Sequence, residues 1–171
     1  ADPFDDLLVT TPAILMVEYA LARTLMAVGI RPDVTLGTSL GSFAAAAISG
    51  LMRMEDALRL AIHKARAVTS HCEQGAMIAV LADLQRFDLP NLQGEWALAA
   101  RNASSHFVIS TKMAHVSRIE SALRTGGHIF QRLPVRYPFH SSWIEPAKEA
   151  FLPAARLASQ QEASVPLVCC A

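Results

Sequence analysis

The segment Gly37-Thr38-Ser39-Leu40-Gly41 constrains this chain more than any other. It lies between a short apolar run, residues 34–36, and an alanine-rich run, residues 42–49, that Gly50 stops. The first reads as a short buried strand and the second as a helix. A chain that passes from strand to helix in so few residues must turn sharply and hold its middle residue in a strained conformation. Side chains at the two flanking glycine positions are expected to clash. Ser39 then projects from the turn, above a helix N-terminus that offers unpaired N–H groups and a positive dipole end. The N–H of Leu40 is the expected donor to a developing oxyanion. The pentapeptide also fits an ordinary glycine-rich turn. Its place after an apolar strand and before a small-residue helix favours a serine nucleophile.

The surrounding elements predict an α/β architecture. Thr11-Pro12 reads as a helix start, with Thr11 as N-cap and Pro12 at the first helical position. That helix runs to residue 28 on Ile14, Leu15, Val17, Leu21, Leu25 and Val28, and Gly29 ends it as a left-handed cap. A turn at 31–33 leads to the strand before Ser39, and a further helix covers 54–70 with Glu55 and Asp56 in its first turn. After Gly75 the pattern changes. Strands are expected at 76–81, 96–100, 106–110 and 128–133, with a short helix between the first two and a helix over 113–124 closed by Gly126-Gly127. That order is ferredoxin-like. The expected organisation is an α/β core over 1–74 and 137–171, interrupted by a ferredoxin-like subdomain over 75–136. A helix over 145–159 and a buried strand over 165–169 complete the core.

Composition narrows the function classes. The chain has 171 residues, a formal net charge of +0, 52% hydrophobic and 18% charged residues. This apolar share excludes disorder, and the balanced charge gives no footprint for nucleic acid. No apolar run is expected to serve as a membrane span, because Glu18, Arg23, Arg53 and Glu55 break the alanine-rich stretches. The acidic N-terminus lacks the order of a signal peptide. Cys72, Cys169 and Cys170 form no CxxC pair, so a reducing, cytoplasmic setting without a disulfide framework is expected. His63 and His71 have no third ligand at a suitable spacing, so no metal site is expected.

A serine nucleophile needs a base, and six histidines compete. His63, His71 and His115 lie on predicted helices, and His106 and His128 at strand edges. His140 lies in the irregular segment Tyr137-Pro138-Phe139-His140-Ser141-Ser142, the kind of segment that often carries site residues. Spacing alone leaves the choice open.

Several motifs in order carry a family resemblance. Thr11-Pro12-Ala13 through Arg31-Pro32-Asp33, the Gly37–Gly41 pentapeptide, Gly50 with Glu55-Asp56-Ala57, Gly75-Ala76-Met77, Asn102-Ala103-Ser104 with Val108-Ile109-Ser110, and Phe139-His140-Ser141 with Glu145-Pro146-Ala147 span nearly the whole chain. Together they resemble the acyltransferase family of malonyl-CoA:acyl carrier protein transacylases and the acyltransferase domains of polyketide and fatty acid synthases. The resemblance implies ping-pong transfer of an acyl group from acyl-CoA, through an ester on Ser39, to the phosphopantetheine thiol of an acyl carrier protein. His140 would be the base, and Asn102 a substrate-binding residue. No permanently bound cofactor is implied, and other synthase domains are possible partners.

Four departures qualify the resemblance. Thr38 replaces the usual histidine before the nucleophile and alters the pocket floor. The family's carboxylate-binding arginine falls, counted without gaps, on Lys64, which cannot pair bidentately. Phe139 keeps the Phe-His pair without the full H-A-F-H pattern, and would narrow the pocket against α-branched acyl groups. The family's N-terminal G-Q-G-S-Q segment, source of the second oxyanion donor, is absent, and the chain stops within a strand-like run. The sequence therefore reads as an internal stretch of a larger acyltransferase domain. The missing arginine also leaves open an acyl hydrolase that removes uncarboxylated acyl groups from carrier proteins.

Overall fold

The computed structural model describes residues 6–170, with the backbone alone for Cys170; the segment 1–5 of the acidic N-terminus and Ala171 lie outside the described residues. The chain divides into two compact units. One holds Ala1–Ala67 and Glu149–Ala171, the other Val68–Lys148.

The first unit opens with α1, Leu7–Ala27. Its N-cap is Asp6, whose carboxylate accepts from the Leu8 N–H at 2.9 Å. Thr11 is therefore not the cap. It is buried inside the helix, and Pro12 sits in the second turn rather than at the first helical position. An aspartate one turn earlier competes equally well for the cap, so the helix starts sooner at the cost of one backbone hydrogen bond at Pro12. The C-terminus follows expectation. Gly29 has φ +91°, the Ile30 N–H reaches the Leu25 carbonyl at 3.0 Å, and the Gly29 N–H reaches that of Met26 at 3.1 Å. These two bonds close a Schellman motif.

The apolar face of α1 is not a buried stripe. Among its residues Thr11 and Leu15 are buried, while Ile14, Val17, Leu21 and Leu25 are exposed. By length and composition this helix is also long and apolar enough to cross a membrane, contrary to expectation. Glu18 and Arg23 interrupt it without lowering its apolar character enough to exclude a span.

Strand β1, Thr35–Thr38, pairs in parallel with β6, Leu167–Cys170, from Thr35 opposite Leu167 to Thr38 opposite Cys170. The expected burial of residues 34–36 holds for Thr35 alone. Val34 and Leu36 are exposed, because alternation along the strand turns Thr35 and Gly37 inward instead. Helix α2, Gly41–Ile48, follows β1. Its end anchors the chain that leads into β6: the Ser49 carbonyl accepts from the Ser164 N–H (2.8 Å) and hydroxyl (3.0 Å), and the Gln161 N–H reaches the Leu51 carbonyl at 2.7 Å. Helix α3, Met54–His71, carries Glu55 and Asp56 in its first turn, as expected.

The second unit is built on a four-stranded antiparallel sheet. Its strands are β2 (Gly75–Leu81), β3 (Trp96–Ala103), β4 (His106–Lys112) and β5 (Ile129–Arg132), in the order β3-β4-β2-β5. That is the ferredoxin-like strand order. Helix α4, Val116–Thr125, follows a short 3-10 turn and buries Val116, Ile119 and Leu123 on one stripe. The short helix expected between β2 and β3 is not formed; residues 82–95 are turns. Pro90 disfavours helix at the residue before it, and Asn91 and Gly94 have positive φ. Leu89 and Leu92 from this loop fill the place of a helix. With Ile78, Val80, Phe107, Ile109, Ile119 and Leu123 they form the buried core. The segment expected as one helix over 145–159 is a 3-10 turn, Ser142–Ala147, followed by α5, Lys148–Leu157, because Pro146 interrupts the ladder.

Candidate functional site

The turn around Ser39 is built from its glycine outward. A Cβ on Gly37 would stand 2.5 Å from the Ser42 Cα and 2.8 Å from both the Gly41 carbonyl oxygen and the Ser42 nitrogen. All three atoms are backbone, so no rotamer relieves the overlap. Gly41 differs from the sequence expectation: a Cβ there meets nothing within 4 Å among the described residues. One flanking glycine is a steric necessity and the other is not. The turn folds the start of α2 back over β1, which brings Ser42 against Gly37 and leaves Gly41 on the open side.

Ser39 itself has φ +54°, a left-handed conformation, and its residue is exposed. For an L-residue this costs about 1–2 kcal/mol, which the close contact at Gly37 maintains. Leu40 is the N-cap of α2 in helical conformation. The Phe43 N–H donates to the Leu40 carbonyl at 3.0 Å, whereas the Leu40 and Gly41 N–H groups have no acceptor within the helix. Thr38 is the last, exposed residue of β1. The Ser42 hydroxyl lies 3.5 Å from the Cys169 Sγ on β6.

Lys64 lies on α3, half-buried, with its Nζ 5.8 Å from the centroid of the Phe43 ring on α2. Burial lowers the pKa of its ammonium. It is not a freely solvated helix residue. Phe43 is the partner that sequence reading missed, and no local spacing could pair positions 43 and 64. A groove of about 380 Å³ between α1, β1 and α2 is lined by Glu18, Leu25, Leu36, Gly41 and Ala45, among others. Partial burial raises the Glu18 carboxyl.

His140 belongs to the other unit, and the segment that carries it is fixed carbonyl by carbonyl. Arg136 accepts from the Gly75 N–H at 2.9 Å, and Tyr137 from the Phe139 N–H at 2.9 Å. Pro138 accepts from the Ser141 hydroxyl and Phe139 from the Ser110 hydroxyl, each at 2.5 Å. Pro138 is buried, and a Cβ on Gly75 would stand 2.8 Å and 2.9 Å from its ring atoms. Gly75 therefore lets the segment lie against β2. His140 follows with φ +58° and is exposed. Phe139 is half-buried, its ring 6.1 Å from that of Tyr137.

Asn102 stands apart from this segment. It is exposed on edge strand β3, within a register shift near Phe107, whereas the Phe139 carbonyl attaches at Ser110, about 10 Å further along β4. Ser110 was missed by sequence reading, although a Ser-Thr pair ending a buried strand is a usable signal. Cys72 is half-buried, donates to the Ile144 carbonyl at 3.6 Å, and burial raises its thiol pKa. No group of three or more His, Cys, Asp or Glu side chains gathers among the described residues.

Comparison with known proteins gives this geometry a context. Residues 1–168 match the family model described as the acyl transferase domain. The chain is 43% identical over 169 residues to the polyketide biosynthesis acyltransferase homolog PksD of Bacillus subtilis, covering 98% of this chain and 52% of that protein. It superposes with a TM-score of 0.83 on the acyltransferase domain from the second module of the salinomycin polyketide synthase, at 35% identity, covering 96% of this chain and 40% of that one. FabD from Acinetobacter baumannii matches with a TM-score of 0.84 at 26% identity, covering 98% and 56%. The chain thus spans about half the length of the curated relatives it matches. With the family model matched across almost its whole length, the chain belongs to the acyl transferase domain family.

Proposed function

We propose that the protein containing this chain transfers an acyl group from acyl-CoA to the phosphopantetheine thiol of an acyl carrier protein, through an acyl ester on Ser39. The observation that carries the reading is the left-handed Ser39 between β1 and the N-terminus of α2, enforced by Gly37, in a chain of the acyltransferase family. The chemistry balances with the chain's own groups. Ser39 Oγ attacks the thioester carbonyl and gives its proton to the His140 imidazole. The Leu40 N–H donates to the oxyanion as it forms. The carbon–sulfur bond breaks, and the departing thiolate takes the proton from His140 to leave free CoA. The carrier-protein thiol then gives its proton to His140 and attacks the ester, and Ser39 Oγ regains the proton as it departs. His140 is assigned as base because it sits in the Phe139-His140-Ser141 motif, on a segment tied to β2 through the Arg136 carbonyl and to β4 through the Phe139 carbonyl.

No resident cofactor takes part in these steps. In this reading Thr38 and Phe139 shape the acyl pocket. Asn102 is a substrate-binding residue on β3. A reducing cytoplasm suits the free Cys72 and Cys169 thiols. The apolar α1 is read as part of the acyltransferase domain rather than a membrane span, since it lies wholly inside the matched residues. Other synthase domains are natural partners, and nucleic acid is not. The test is mass spectrometry of the full-length protein mixed with acetyl-CoA and malonyl-CoA. An acyl adduct on Ser39 is expected, and its absence with both donors overturns the reading.

One observation favours a second reading, in which water replaces the carrier thiol. Lys64 stands where carboxylate-selective relatives are expected to carry arginine, and it is half-buried against Phe43. A pocket without the bidentate clamp favours uncarboxylated acyl groups. Free acid released from acetylated carrier protein by the enzyme alone supports hydrolysis, whereas a stable acyl-enzyme supports transfer. Lys64→Arg is expected to raise malonyl loading relative to acetyl loading. An unchanged ratio shows that Lys64 does not face the pocket.

A further inference from the structure

Resting on the reading of His140 as the base, we propose that Ser110 is a positioning residue for its imidazole, acting through the Phe139–His140 peptide. Ser110 is fully buried on β4, in a strand whose neighbours are buried too. Its hydroxyl does not bond within the sheet. It donates out of the sheet to the Phe139 carbonyl at 2.5 Å. That carbonyl belongs to the peptide group whose nitrogen is His140's own. Fixing the carbonyl fixes the peptide plane, and with φ held at +58° the plane sets where the His140 Cα–Cβ bond points. Two further bonds hold the segment, one before the base and one that closes across it. Gly75 holds the Arg136 carbonyl and Ser141 holds that of Pro138. Ser110 thus fixes, from the sheet, the peptide group directly before the base.

The arrangement suits a rigid support better than a packing role. Ser110 faces Met77 on β2 and Ala97 on β3 across the ladder, so the middle of the sheet and the base-carrying segment share one hydrogen bond. An alanine there fits the same space and removes only the tether. The peptide before His140 then loses its tie to the sheet, and a misplacement of about 1 Å at the base lowers a rate by about a hundredfold.

The experiment measures, on the full-length protein, the rate of Ser39 acylation by acetyl-CoA or malonyl-CoA, whichever loads the unaltered protein faster. Ser110→Ala is expected to lower the saturated rate by about tenfold to a hundredfold. The half-saturating donor concentration stays within about twofold, since donor contacts are unchanged. Ser141→Ala, at a half-buried and less demanding position, is expected to lower the rate by a smaller factor that Ser141→Thr restores. A wild-type rate in a folded Ser110→Ala variant overturns the proposal. So does a wild-type rate in Ser141→Ala when Ser110→Ala fails to fold. His140→Ala separates the two levels of the argument. If it acylates normally, His140 is not the base and both readings fall; if it is inactive while Ser110→Ala is normal, the positioning role alone falls.

Discussion

The two glycines that flank Ser39 are expected to respond in opposite ways to the same substitution. In Gly37→Ala the new methyl carbon starts 2.5 Å from the Ser42 Cα and 2.8 Å from two further backbone atoms. Side-chain contacts at such distances relax by rotation, but these cannot. Restoring ordinary van der Waals separation moves the first turn of α2 by about 1 Å relative to β1, or forces an equal distortion into the turn. Overpacking of this kind costs about 1–3 kcal/mol. The displaced turn contains Leu40, whose N–H must meet the oxyanion, so a shift of about 1 Å is worth about a hundredfold in acylation rate. Gly41→Ala meets nothing within 4 Å and begins a helix. Replacing glycine by alanine there gains up to about 1 kcal/mol and leaves the turn where it was.

The assay pairs thermal melting with the rate of Ser39 acylation by acetyl-CoA on the full-length protein. Gly37→Ala is expected to melt lower and acylate about a hundredfold more slowly. Gly41→Ala is expected to melt at or above the unaltered protein and to acylate within a few-fold of it. If the two variants behave alike, the steric account of the turn is wrong. Full activity in Gly37→Ala shows that the turn yields without displacing the oxyanion donor.

Two further substitutions test the strain and the burial. Ser39→Ala and Ser39→Gly are both expected to form no adduct, but glycine relieves about 1–2 kcal/mol of left-handed strain while losing about 0.5–1 kcal/mol of backbone entropy. Ser39→Gly should therefore melt at or slightly above Ser39→Ala, and the reverse order refutes the strain at φ +54°. Burial lowers the Lys64 pKa, so the folded state disfavours its charged form. Below the folded pKa both states are protonated and the penalty is complete; as pH rises from the folded toward the unfolded value the folded state releases its proton first and the penalty fades. Lys64→Met is thus expected to raise the melting temperature near pH 7, with a gap that narrows toward pH 10. A gap that stays constant or widens assigns the effect to packing, including loss of the Phe43 contact.

Legibility in the sequence tracked how local the determining interaction is. The Ser39 turn was readable because strand, glycine and helix follow one another within a few residues. The ferredoxin-like order of β2 to β5 was readable because each strand is bounded by turn residues. The start of α1 was misread because Asp6 and Thr11 are equivalent caps as isolated residues, and a proline tolerated inside the helix sends no warning. The loop over 82–95 was misread for the opposite reason. Apolar residues at Leu84, Phe87, Leu89 and Leu92 give a helical rhythm, but Pro90 and the positive φ at Asn91 and Gly94 override it, and the leucines enter the core from turns. Non-local pairs were invisible altogether. Phe43 beneath Lys64 and Ser110 holding the Phe139 carbonyl join residues 21 and 29 positions apart, and no pattern in the sequence links them.

Each unit holds backbone strain at a residue of its own. Among the described residues three non-glycine residues have positive φ: Ser39, Asn91 and His140. Asn91 needs no functional account, since asparagine tolerates this conformation in turns and here it follows Pro90. Ser39 and His140 are different. Each is held by its surroundings: a backbone contact at Gly37 for one, and, for the other, carbonyls at Arg136 and Phe139 that accept from the Gly75 N–H and the buried Ser110 hydroxyl. Strain of this kind persists only where the rest of the fold outweighs it, so it points to positions whose geometry matters more than their stability. The two outliers fall on the two residues that the motifs nominate as nucleophile and base. The Gly37–Gly41 motif nominates Ser39 and the family resemblance nominates His140, while the backbone angles come from packing within two separate units. Their agreement is a stronger argument for Ser39 and His140 than the pentapeptide or the Phe-His-Ser segment is by itself.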